Sequence, residues 1–133
     1  MVRVSKNRLT EEHLQQLIKQ LTDVIGRLNA GQASQFIYEI FGKEEKEIFA
    51  KRLAIILMIN EGRSLYSIAR LLQVSDTTVG KIYDRYKRNE FTHTIKALTK
   101  NKTDYKRFVD LVDSILTVGG IMPRRNTPIR IRR

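Results

Sequence analysis

Asp76, Thr77, Gly80 and Lys81 recur at helical spacing, so a helix over this stretch carries all four on one face, with Asp84 and Arg85 further along. They are polar, short at the N-terminal end and basic beyond it. Groups of this kind read base edges in a DNA major groove. Lys81 can donate to guanine O6 or N7, Asp76 can accept from cytosine N4, and Gly80 lets the backbone come close. Around them lie Arg63, Ser64, Tyr66, Thr78, Arg85, Lys87 and Arg88, donors suited to phosphates, which set register without reading sequence. Covalent and metal chemistry find far less to use. The chain has 0 cysteines and 2 histidines, His13 and His93, both on expected helix surfaces. It has no glycine-rich phosphate loop and no carboxylate pair in a recognisable pocket. No enzyme, cofactor or metal site is expected.

The elements that must position these groups span Ser64 to Tyr86. Ser64 can cap a helix whose buried positions are Leu65, Ile68, Ala69 and Leu72. Gln73-Val74-Ser75 then turns the chain into a second helix with Val79, Ile82 and Tyr86 on its inner face. Ala69 sits where the helices touch and Val74 fills the wedge between them. Ser75 can cap the second helix by accepting from its free N–H groups. The core of this helix-turn-helix is Ile68, Ala69, Leu72, Val74, Val79 and Ile82. One position departs from the usual pattern: the turn favours glycine where this chain has Gln73, because the backbone there takes positive φ.

The net charge of +11 and pI ≈ 10.2 imply an acidic partner, since such a field draws polyanions without choosing a sequence. The N-terminus MVRVSKNRLT holds no apolar run of the secretory kind, and the apolar run IILMI at 55–59 is far too short to span a bilayer. A cytoplasmic, nucleoid-associated protein without a membrane partner is expected.

In chain order, the pattern predicts an all-α protein of six to seven helices. Loose basic residues 1–9 precede a helix over about 10–29, started by Thr10 and closed by Asn29-Ala30-Gly31, with Gly31 as its C-terminal cap. A second helix covers about 32–41 and Gly42 breaks it. A third runs from about Glu44 to Asn60, and its half Leu53–Ile59 is apolar around nearly the whole circumference. A helix with no wet face must be covered on all sides, which a second copy of the chain could do. The helices of the reading unit follow, with residues 10–90 expected as one domain. An extension over 91–118 carries a helix over about 91–99 and a last helix over about 104–117, capped by Thr103. The stripe of that last helix is Tyr105, Phe108, Val109, Val112, Ile115 and Leu116. The tail 119–133 holds Arg124, Arg125, Arg130, Arg132 and Arg133 with no acid, and reads as a basic arm for phosphates or a minor groove.

From Phe36 to about Arg88, IFGKEEKEIFAKRLAIILMINEG followed by SIARLLQVSDTTVGKI resembles the Trp-repressor-like family of bacterial helix-turn-helix proteins. The shared layout is an acidic helix start, a KR pair in the next turn, a long apolar helix ending at glycine, and the helix-turn-helix directly after it. The resemblance implies an intertwined homodimer with one helix-turn-helix at each end. In the family's tryptophan-binding form two arginines sandwich the indole. Arg52 matches the first, whereas Lys81 falls at the second and lacks a planar guanidinium. Ile82 follows where that form has a glycine making room for the ligand. Arg52 and Lys81 thus mark at most a remnant ligand site, and tryptophan is not expected as corepressor.

These readings converge on a sequence-specific regulator of transcription, a repressor by resemblance, reading a pseudo-palindrome in double-stranded DNA as a homodimer. Two alternatives stand beside it: a nucleoid-type binder of low specificity, and a helix-turn-helix module that docks RNA or protein.

Overall fold

The computed structural model describes residues 9–119, with side chains through Ile115. Seven α-helices and no strand occupy the described residues: α1 (Glu11–Gly26), α2 (Ala30–Ile40), α3 (Lys43–Asn60), α4 (Leu65–Leu72), α5 (Asp76–Lys87), α6 (Thr92–Thr99) and α7 (Lys102–Gly119). They form two compact units, the first ending at Phe49 and the second beginning at Ala50.

In the first unit, α1 starts where the His13 N–H donates to Thr10 Oγ1 at 3.1 Å, and Glu11 and Glu12 face the positive end of the helix dipole. Asn29-Ala30-Gly31 does not close this helix. Asn29 instead opens α2 with a reciprocal capping box: its Oδ1 accepts from the Gln32 N–H at 2.9 Å, and Gln32 Oε1 accepts from the Asn29 N–H at 3.1 Å. Two otherwise orphaned donors are satisfied by that pair, and Gly31 becomes an ordinary position inside α2. Neither helix buries a single residue, and Leu14, Leu17, Ile18, Leu21 and Ile25 stand exposed along α1, Leu17 by 55%. The chain bends at Phe41, and the Gly42 N–H donates to Glu45 Oε1 at 2.8 Å as α3 begins.

The second unit is built on the apolar half of α3. Every side chain from Ala54 to Ile59 is buried. Ile55–Ile59 share one core with Ile68, Ala69 and Leu71 of α4, Val79 and Ile82 of α5, Phe91, and Val112 of α7. The chain's own helices therefore cover this segment, and its burial does not call for a second copy. The segment from residue 91 onward is part of the same core, with Ile95, Leu98, Tyr105, Phe108 and Val109 half-buried against it. No unit boundary falls near residue 90. Asn101, rather than Thr103, caps α7: its Oδ1 accepts from the Asp104 N–H at 3.0 Å, and Thr103 lies inside the helix. Ile115, expected on the apolar stripe, is exposed.

Three successive helices of this unit end in the same way. The Arg63 N–H donates to Met58 O at 3.0 Å, the Val74 N–H to Ala69 O at 3.0 Å, and the Glu90 N–H to Arg85 O at 3.1 Å. Each six-residue closure needs a left-handed residue just before its donor, and these are Gly62 (φ 79°), Gln73 (φ 55°) and Asn89 (φ 61°). The non-glycine turn expected at Gln73 is there.

Candidate nucleic-acid interface

The reading unit is held by its caps and its buried seam. Ser64 Oγ accepts from the Ser67 N–H at 2.9 Å at the head of α4, and Ser75 Oγ accepts from the Thr78 N–H at 3.0 Å at the head of α5. Ile68, Ala69, Val79 and Ile82 are buried between the helices, while Leu72 and Val74 are half-buried at the edge of that core. Leu71 is buried too, and sequence reasoning missed it. Its i, i+3 spacing from Ile68 was the available signal.

Burial of Val79 and Ile82 turns the opposite face of α5 outward. Asp76, Thr77, Thr78 and Lys81 are exposed on its first turns, as are Asp84, Arg85, Lys87 and Arg88 further along. Gly80 is half-buried, with no atom within 4 Å of where a Cβ would stand, so this part of the surface is smooth and open. The polar groups expected at base edges thus lie together on one face.

The groups expected at phosphates divide into two sets. Arg63 is engaged inside the unit: its Nη2 donates to Asp113 Oδ1 at 2.5 Å, and its side chain is only 14% exposed. Ser64 is likewise taken by capping, and its hydroxyl also meets Ser67 Oγ at 2.7 Å. Both side chains are thus engaged within the unit. Tyr66 is exposed and accepts from Arg70 Nη1 at 2.6 Å, with the Arg70 guanidinium 5.2 Å from the ring centroid. Arg70 is a basic group on this surface that sequence reasoning did not single out. Thr78 Oγ1 lies 2.8 Å from Ser75 Oγ. Lys87 pairs with Asp84 at 3.6 Å and lies over the Tyr83 ring. Arg85 Nε and Arg88 Nε donate to the two oxygens of Glu90, at 2.9 and 2.7 Å. Those hydrogen bonds, Arg85's first, hold the Glu90 carboxyl below the usual carboxylate range.

The back of α5 is fixed by a polar chain across three helices. Tyr86 donates its hydroxyl to Asn60 Oδ1 at 3.2 Å, Asn60 Nδ2 donates to the Tyr105 oxygen at 3.2 Å, and Tyr105 donates to Glu61. Burial, and then the Glu61 carboxylate, push the Tyr105 hydroxyl up to about 12. Arg52 and Lys81 are exposed, whereas Ile82 is buried in the core. Arg124, Arg125, Arg130, Arg132 and Arg133 lie outside the described residues. Among the described residues no cluster of His, Asp and Glu could hold a metal ion, and no helix is long and apolar enough to cross a membrane.

Residues 49–92 match the family model of a homeodomain-like domain. That match covers about a third of the chain, from the apolar half of α3 through α4 and α5 to the first residue of α6. No curated protein and no solved structure matches the chain. The matched segment contains the α4–α5 helix-turn-helix and is similar to a class of domain whose helix-turn-helix characteristically places its second helix in DNA.

Proposed function

We propose that this protein is a sequence-specific, double-stranded-DNA-binding regulator of transcription, a repressor akin to the Trp-repressor-like family, that works as a homodimer without tryptophan. One observation carries the reading: α5 buries Val79 and Ile82 and presents Asp76, Thr77 and Lys81 exposed on one face, with Gly80 half-buried between them. In this reading those four meet base edges. Tyr66, Thr78, Arg85, Lys87 and Arg88 hold phosphates, joined by Arg70 on the same helix as Tyr66. Arg63 and Ser64 support the fold instead.

The dimer rests on the first unit. An amphipathic helix without a buried residue, whose exposed face carries Leu14, Leu17, Ile18, Leu21 and Ile25, leaves apolar surface in water unless something covers it. A second copy is the cover proposed, and a twofold arrangement would match half-sites about 34–36 Å apart. Independence from tryptophan rests on Ile82, whose branched side chain is part of the core, and on Lys81, which cannot stack on an indole as a guanidinium does.

Selection from a random duplex pool, with the full chain and without tryptophan, tests the whole reading. Enrichment of one palindromic motif is expected. Retention of DNA without enrichment would favour the low-specificity binder that the +11 charge also suits. Stoichiometric tryptophan binding by calorimetry would overturn the ligand-free reading.

A further inference from the structure

The carboxylate of Glu90 occupies both guanidinium groups at the end of α5. The position of its backbone is built into the fold. Asn89 takes the left-handed conformation, the Glu90 N–H closes onto Arg85 O, and the side chain is thereby returned over the last turn of its own helix. The residue at this position after a helix commonly makes an apolar contact back to that turn; here the contact is ionic. Arg85 Nε reaches one Glu90 oxygen at 2.9 Å and Arg88 Nε the other at 2.7 Å. The Arg85 guanidinium is further held 4.6 Å from the Phe91 ring centroid, and Phe91 is buried in the core. A carboxylate bridging two guanidinium groups offers them the geometry and charge that a phosphodiester oxygen pair would offer.

We propose that Glu90 is an internal substitute for a DNA phosphate that sharpens discrimination by withholding Arg85 and Arg88 from duplexes lacking the cognate sequence. The inference rests on the DNA-binding reading of α5. On a random duplex no base contact fixes the helix in the groove, and the phosphates compete poorly with a carboxylate already in place. On a cognate duplex the contacts of Asp76, Thr77, Gly80 and Lys81 seat the helix, and a phosphate pair displaces Glu90. Non-specific binding is driven by phosphate contacts almost alone, so removing two of them lowers it more than specific binding.

The test compares the full-length wild type with Glu90→Gln on a random duplex and on the duplex recovered by selection, over a series of salt concentrations. Glu90→Gln is expected to bind the random duplex roughly tenfold more tightly, with a log–log salt slope steeper by up to about 1.8 for two added phosphate contacts. Its binding to the selected duplex should change by less than about threefold, so the specificity ratio falls. Adding Arg85→Ala and Arg88→Ala to Glu90→Gln should abolish the gain. Equal or weaker binding of Glu90→Gln to the random duplex, with the wild type retaining that duplex normally, would overturn the inference and leave the DNA-binding reading standing. If the wild type retained no duplex at low salt, both would fall together.

Discussion

Arg63 and Asp113 meet at 2.5 Å across fifty positions of sequence, each largely shielded from water, and join the residue before the α4 cap to the middle of α7. The pair explains why α7 belongs to the reading unit. It also engages Arg63 within the unit. Breaking such a pair from one side leaves a shielded charge without its partner. Asp113→Ala is therefore expected to destabilise the protein by about 2–4 kcal/mol, measured by urea unfolding. Replacing both residues by apolar ones of similar volume should recover most of that loss. Arg63→Ala should lower the melting temperature without changing the salt slope of DNA binding.

The helix-turn-helix was legible because its signals are local. Ser64 and Ser75 cap the helices that the apolar spacing requires, and Gln73 stands where the turn geometry demands positive φ. Local signals mislead where two polar residues compete for one job. Asn29 and Asn101 each start a helix that the spacing alone assigned differently, because an asparagine side chain reaches the N–H three residues on. The packing of α7 could not be read. Its stripe predicts that a face is buried but not against what, and the partners of Tyr105 and Asp113 lie some forty-five to fifty residues away. The all-round apolar half of α3 had two possible covers, and periodicity cannot choose between the same chain and a second one.

Gln73 holds its left-handed backbone at φ 55° without the freedom that glycine has. A non-glycine residue there is strained by about 1–2 kcal/mol, partly offset by the extra entropy glycine has when unfolded. Gln73→Gly should therefore stabilise the protein by about 0.5–1 kcal/mol. Asn89→Gly should gain less, because asparagine tolerates this conformation through local hydrogen bonds. Chemical denaturation of the two variants side by side checks the order, and an equal or larger gain at Asn89 would contradict it.

Tyr105 makes stability depend on alkaline pH. Its hydroxyl is pushed up to about 12 in the folded protein from an ordinary value of 10.0, chiefly by burial. The folded state therefore keeps this proton where the unfolded chain has released it. Stability from this group is complete below about pH 10 and declines as pH rises towards about 12. Urea midpoints for the wild type should fall across that window, and Tyr105→Phe, which has no such proton, should show a shallower decline. At pH 7 the same variant should lose only modest stability, with Asn60 and Glu61 left to find water.

Lys81 separates base reading from charge. It is exposed one residue after Gly80 on the open face of α5, whereas Lys87 lies six residues further along, paired with Asp84. If Lys81 donates to a guanine, Lys81→Ala should lose about 1–3 kcal/mol on the selected duplex and little on random DNA, relaxing preference at one base pair. Lys87→Ala should weaken every duplex alike and reduce the salt slope by about 1. The two variants remove the same charge from the same helix, so net electrostatics cannot distinguish them. Only a difference in contact type can. Titration of both against selected and random duplexes gives four constants, and equal proportional losses for both variants on both duplexes would show that α5 binds through charge alone.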